Sequence, residues 1–144
     1  MRTDHFDEST VEQAAKEWLA EIGFHTGYAP VDAAVDDVRE SLGDCTLWSH
    51  VADALARLNP GADADLVRAA VARIQRAESQ DGMSENQRLY ELMVRGVPVE
   101  TNSDDGRPST VRLRLVDFDT PENNDWRALN QFTIIEAGHN RRPD

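Results

Sequence analysis

Apolar residues recur every three or four positions through the first two-thirds of the chain and at every second position after that. Val11, Ala14, Ala15, Trp18, Leu19 and Ile22 fall on one face of a helix, predicting an amphipathic helix over about 9–22. Ser9-x-x-Glu12 has the spacing of a capping box, which accounts for Glu12 without a metal, and Gly23 is a plausible stop. Residues 26–45 have no clean period; they contain Gly27, Pro30 and Gly43, with a short acidic helix expected from Val31 to Leu42. Leu47, Val51, Ala54, Leu55 and Leu58 predict a second helix over 47–58, ended by Asn59-Pro60-Gly61. A third is expected over 63–77, burying Val67, Ala70, Val71 and Ile74. Ser84-x-x-Gln87 opens a fourth over 84–95, closed by Gly96.

Beyond Gly96 the period becomes two. Val97-Pro98-Val99-Glu100 reads as a short strand near 97–101, with Pro98 at an edge because it has no N–H for a ladder. After a turn at Asn102–Gly106, Val111, Leu113 and Leu115 alternate with Arg112 and Arg114 in a strand over 110–117. A loop at Asp119–Asp125 leads to a third strand over 126–137, expected to pair with 110–117. The fold class is α+β: N-terminal helices packed beside an antiparallel sheet, in one domain spanning 1–144, with 1–96 mainly helical and 97–144 mainly strands.

Charge divides the chain at the same place. Residues 1–94 carry 18 acidic and 8 basic side chains, whereas 95–144 carry 9 and 7, within a total of −12. Affinity for nucleic acid comes chiefly from Lys and Arg neutralising phosphates, so only the last third is suited to approach DNA. No apolar run nears the roughly 20 residues that span a membrane, and the polar N-terminus is no signal peptide. The single cysteine, Cys45, excludes an internal disulfide and suits a cytoplasmic location. His5, His25, His50 and His139 are scattered without cysteine partners at zinc spacing. Neither a phosphate-cradling Gly-Lys-Ser/Thr loop nor a nucleophile elbow is present.

The final segment holds the unusual chemistry: a polar strand, Asn130–Glu136, followed at once by His139-Asn140-Arg141-Arg142-Pro143-Asp144. On chemistry alone this is a strand leaving into a solvated tail. Glu85-Asn86-Gln87-Arg88-Leu89, Gly96–Glu100, Val111-Arg112-Leu113 and Val116–Asp125 lead to it in an order that resembles the restriction (R) subunit of type I restriction–modification enzymes. Trp18-Leu19 with Gly23, and Ala54-Leu55 with Leu58-Asn59-Pro60, extend the resemblance upstream.

The resemblance implies an incomplete restriction-endonuclease-like domain of the PD-(D/E)xK class. There an Asp after Pro and a Glu-x-Lys on the next strand hold Mg²⁺, which activates water, while the Lys meets developing charge. By position Asp144 is the motif Asp and Mg²⁺ ligand, with Arg141 and Arg142 as residues near DNA. Glu-x-Lys does not follow in this sequence, whose one lysine is Lys16, and the ATP-driven motor of such subunits is absent from it. The expected role is therefore the N-terminal part of a subunit that cleaves double-stranded DNA with Mg²⁺ and ATP alongside modification and specificity subunits, inactive by itself. The alternative is a non-catalytic module docking onto restriction subunits. Without a partner strand, the segment from about Gly138 is expected to fray.

Overall fold

A computed structural model describes residues 7–28, 41, 43–103 and 105–141. The elements run α1 (Glu8–Glu21), β1 (His25–Tyr28), α2 (Trp48–Leu58), α3 (Ala64–Gln75), α4 (Gly82–Arg95), β2 (Val97–Asn102), β3 (Pro108–Leu113), a 3₁₀ turn (Pro121–Asn123), β4 (Arg127–Asn130), β5 (Ile134–Glu136) and β6 (His139–Arg141). The α+β class and the four helices agree with the sequence pattern. The helix expected from Val31 to Leu42 lies outside the described residues. No helix among the described residues is long and apolar enough to cross a membrane. The chain forms two compact units: Trp48–Asn124, and Met1–Leu47 together with Asp125–Asp144.

The Trp48–Asn124 unit is built around apolar burial. Leu55 from α2, Val67, Ala70 and Ile74 from α3, Leu92 from α4, and Val97, Val99 and Leu113 from the hairpin form one core. β2 and β3 are antiparallel, with Val97 opposite Leu113 and Val99 opposite Val111, so alternate residues of both strands reach that core. Gly96 joins α4 to β2 with φ +81°, and a Cβ there would lie 2.9 Å from the Leu113 carbonyl oxygen, so only glycine permits this junction. Arg88 pairs with Glu85 and donates to the Arg73 and Ile74 carbonyls at 3.3 and 3.1 Å, satisfying the last turn of α3.

The other unit packs α1 against a two-stranded parallel sheet, β1 and β4, with His25 opposite Arg127 and Tyr28 opposite Asn130. Phe24 and Trp126 stack at its entrance, centroids 5.8 Å apart. Gly23, at φ +96°, ends α1 as the sequence implied, and the Phe24 N–H donates to the Leu19 carbonyl at 3.0 Å.

Six expectations are corrected. The caps are aspartates that precede the serines: Asp7 Oδ1 accepts from Thr10 N at 2.9 Å, and Asp81 Oδ2 from Ser84 N at 2.9 Å, so neither Ser9 nor Ser84 is the N-cap. The stripe of α1 expected to face a core is covered only in part: Val11, Ala15, Trp18 and Ile22 are exposed, while Ala14 and Leu19 are half-buried, as are the polar Glu12 and Lys16. The strand expected over 110–117 stops at Leu113 because Asn59 takes the next peptide: Arg114 N donates to Asn59 Oδ1 at 2.7 Å, and Asn59 Nδ2 to the Arg114 carbonyl at 2.8 Å.

No pairing between 110–117 and 126–137 occurs among the described residues, so the sheet is no single antiparallel meander but three two-stranded ones. The 126–137 strand is broken in two by Gln131, at φ +56°. Finally, the chain beyond Gly138 does not fray at once. Ala137 and Gly138 both have positive φ, forming a two-residue turn that matches the twist of a hairpin, and β6 pairs with β5.

Candidate functional site

Two places in the molecule concentrate polar chemistry, one in each unit. The first lies on the inner face of α1. Because Asp7 caps the helix, the Glu12 carboxylate is released from the capping role that its spacing suggested. It accepts from Gln131 Nε2 at 2.8 Å and Asn130 Nδ2 at 3.1 Å. Lys16, one turn further along α1, donates to Asn130 Oδ1 at 3.4 Å. The left-handed residue Gln131, which ends β4, helps aim both amides at the helix. A half-buried carboxylate, two carboxamides and the chain's one lysine thus meet where α1 crosses the end of β4.

The signal for this cluster was partly visible. Asn130-Gln131 stand out as polar residues within a strand, whereas the spacing Ser9-x-x-Glu12 assigns Glu12 to a cap. Their meeting depends on the parallel pairing of β1 with β4, which the alternation of side chains did not reveal.

Of the residues assigned by resemblance, Asp144 and Arg142 lie outside the described residues. Arg141 is the last residue of β6, with its backbone opposite Ile134. Among the described residues, no group of three or more His, Cys, Asp or Glu side chains is placed to hold a metal ion. Glu12 presents one carboxylate, both of whose oxygens already accept hydrogen bonds. Mg²⁺ demands a near-octahedral set of oxygens, so the described residues do not compose a magnesium site.

The second place is the Val116–Asp125 stretch. Asp117 is only 4 % exposed. Its carboxylate accepts from Asn123 Nδ2 at 2.9 Å, Thr120 N at 3.1 Å and Asp119 N at 3.2 Å, and pairs with Arg114 Nη1 at 3.1 Å. The Asn123 amide, the Thr120 N–H and the Arg114 guanidinium hold its pKa below the ordinary aspartate value, against the opposing effect of burial. Asn124 closes the loop from the other side, accepting from Asp117 N at 2.8 Å and donating to the Asp117 carbonyl at 2.7 Å. The sequence pattern assigns Asp119–Asp125 to a loop and Val116 and Asp117 to the end of the preceding strand. The aspartate and paired asparagines make the stretch a hydrogen-bonded capsule, and Phe118, next in the chain, is left 60 % exposed.

Comparison with known proteins places this geometry in context. The family described as Type I restriction enzyme R protein N terminus (HSDR_N) matches residues 5–144. The chain is 26 % identical over 141 residues to the "Putative type I restriction enzyme MjaIXP endonuclease subunit" of Methanocaldococcus jannaschii, and 29 % identical over 142 residues to the "Type I restriction enzyme HindI endonuclease subunit" of Haemophilus influenzae. Each alignment covers 96 % of this chain and 13 % of the relative, so the chain spans about an eighth of the length of these relatives. No solved structure matches.

Proposed function

This chain belongs to the type I restriction enzyme R protein N-terminus family, and on that premise we propose that it serves as the N-terminal nuclease portion of an R subunit. In that reading the complete subunit cleaves foreign double-stranded DNA with Mg²⁺ and ATP-driven translocation, assembled with modification and specificity subunits. The fold would be the front of a PD-(D/E)xK domain, with Asp144 as its first motif carboxylate and Arg141 and Arg142 beside the DNA.

The observation that supports the reading is the family match over residues 5–144, which runs through Pro143-Asp144, where the resemblance puts the first motif carboxylate. The contacts of Glu12 with Asn130 and Gln131 set an acidic side chain of α1 against the end of β4. The chain's own contribution is to fix β4 against α1.

The expected behaviour of the 144-residue chain by itself is inactivity. Incubated with supercoiled plasmid, Mg²⁺ and ATP, it should neither nick DNA nor release phosphate. Reproducible nicking that Asp144→Ala abolishes would overturn that expectation. The genomic sequence immediately downstream separates the two functional readings. An in-frame Glu-x-Lys supports the nuclease portion, whereas a stop followed by an unrelated gene favours the non-catalytic docking module.

A further inference from the structure

The Trp48–Asn124 unit carries a concavity of about 640 Å³ between the last turns of α4 and the chain that leaves β3. Its rim is apolar where water would ordinarily select polar residues. Tyr90, Met93, Val94 and Phe118 are 59, 40, 48 and 60 % exposed, and all four line the same groove. Scattered exposed apolar residues need no explanation, but a contiguous set around a concavity marks a surface that another molecule covers.

Arginine supplies the second property. Residues 48–124 contain 13 acidic and 9 basic side chains, yet three of the nine, Arg95, Arg112 and Arg114, line this groove, with Asp119 as its one acidic residue. Arg95 is paired with Glu91 at 2.7 Å, and Arg114 with Asp117 at 3.1 Å. Arg112 has no carboxylate partner among the described residues; it donates at 3.4 Å to the carbonyl of Gly96. An exposed guanidinium fork therefore stands beside an apolar rim.

The groove is also held ready. Gly96 fixes the junction of α4 with the hairpin, and the Asp117 capsule pins the backbone on either side of Phe118. An anchor presented by a hydrogen-bonded loop loses little freedom on binding, which favours affinity.

We propose that this groove docks a protein segment that carries one or two carboxylates beside apolar anchor side chains. The proposal is independent of the nuclease reading. Nucleic acid fits less well, since it needs several free cations along its backbone. Here two of the three arginines are already paired, and Glu91, Asp117 and Asp119 stand beside them. A carboxylate needs one fork, and Arg112 offers the planar, bidentate geometry that matches it.

The test uses the full 144-residue chain to select from a displayed library of random 12-residue peptides. The recovered sequences are expected to combine Asp or Glu with Phe, Trp or Leu, and a synthetic representative should lose about tenfold or more in affinity on Phe118→Ala or Arg112→Glu. Both substitutions are at exposed positions, and far-ultraviolet circular dichroism verifies that the variants fold. A peptide in which Lys replaces its acidic residue should in turn bind R112E better than the parent chain. Failure to enrich any peptide, enrichment without acidic residues, or equal binding to parent and variants would each overturn the proposal. So would tighter binding of a 20-nucleotide single- or double-stranded DNA that F118A weakens, which would assign the groove to nucleic acid. A concentration-dependent dimer that F118A dissolves would assign it to a second copy.

Discussion

The two units hold themselves together by different means. Every buried apolar side chain among the described residues belongs to Trp48–Asn124, where three helices and a hairpin share one core. In the unit formed by Met1–Leu47 and Asp125–Asp144, the one described residue that is buried is Thr133, at 1 % exposure. There α1 meets the end of β4 through Glu12 and Lys16, while Val11, Trp18 and Ile22 face outward. Apolar burial is worth roughly 25 cal/mol per Å², whereas a typical hydrogen bond adds about 1 kcal/mol net because water competes for it. The first unit is expected to resist local opening; the second is expected to open more readily and to depend on the geometry of a few polar groups.

The largest effect should come from removing a side chain at the centre of the apolar core. Leu55 is fully buried, and Leu55→Ala is expected to cost about 2–5 kcal/mol through lost burial and the cavity left behind. Its counterpart in the other unit, Val11→Ala on the exposed face of α1, should change stability by less than about 0.5 kcal/mol. Denaturant melts of both variants, read with amide exchange, measure the contrast. Equal costs would break the comparison by showing that the α1 stripe is covered in solution.

The same contrast explains what the sequence revealed. Where apolar burial dominates, period and core composition agree: Val67, Ala70 and Ile74 were legible as the inner face of the third helix, and Val97, Val99, Val111 and Leu113 as alternating strand residues. Where polar side chains decide the structure, the pattern misleads. Val11, Trp18 and Ile22 form a regular helical stripe, so they pointed to a core that this unit does not place there. Asn59 ends a strand by imitating a neighbouring backbone from 55 residues away, and no local signal announces that. Asp7 and Asp81 were nearer to view, since Asp-x-x-Thr and Asp-x-x-Ser carry the capping spacing as well as Ser-x-x-Glu does. Of the candidate site, the residue types in Asn130-Gln131 were visible, but not the fold that brings them to Glu12.

An intermediate effect is expected at Asp117, where the core-bearing unit relies on a carboxylate. Its folded pKa lies below the ordinary value, so its contribution to stability is complete above about pH 4 and is lost as pH falls through that value toward the depressed one. Asp81 and Glu85, lowered by hydrogen bonds from Ser84 and from the Glu78 N–H respectively, act in the same direction within this unit. Asp117→Asn retains an acceptor for Asn123 or Thr120 but not the charge that faces Arg114. The melting midpoint should fall at pH 7, and the difference from the parent chain should shrink as both are acidified below pH 4. A difference that stays constant down to pH 2 would show that the loop depends on shape rather than on ionised Asp117.

A smaller effect than at Leu55 or Asp117, and the one that most directly probes the polar unit, is expected at Glu12. Glu12→Gln keeps the size of the side chain but leaves a single oxygen, with an NH₂ group aimed at one of the two amides that formerly donated to it. Asn130 cannot simply flip to accept, because its oxygen already receives the Lys16 ammonium at 3.4 Å. The half-buried position lets water repair part of the loss, so a destabilisation of about 1 kcal/mol is expected. Backbone bonds of the β1–β4 ladder and the Phe24–Trp126 stack remain in place, so the sheet should loosen rather than dissolve. A double-mutant cycle of Glu12→Gln with Asn130→Ala measures the pair itself, with a coupling of about 0.5–1.5 kcal/mol expected for residues in contact. Amide exchange at Thr26 and Ala128 should quicken in the same variants. Zero coupling with unchanged exchange would mean that the ladder and the stacked rings hold this unit, and that the Glu12 cluster is available for another role.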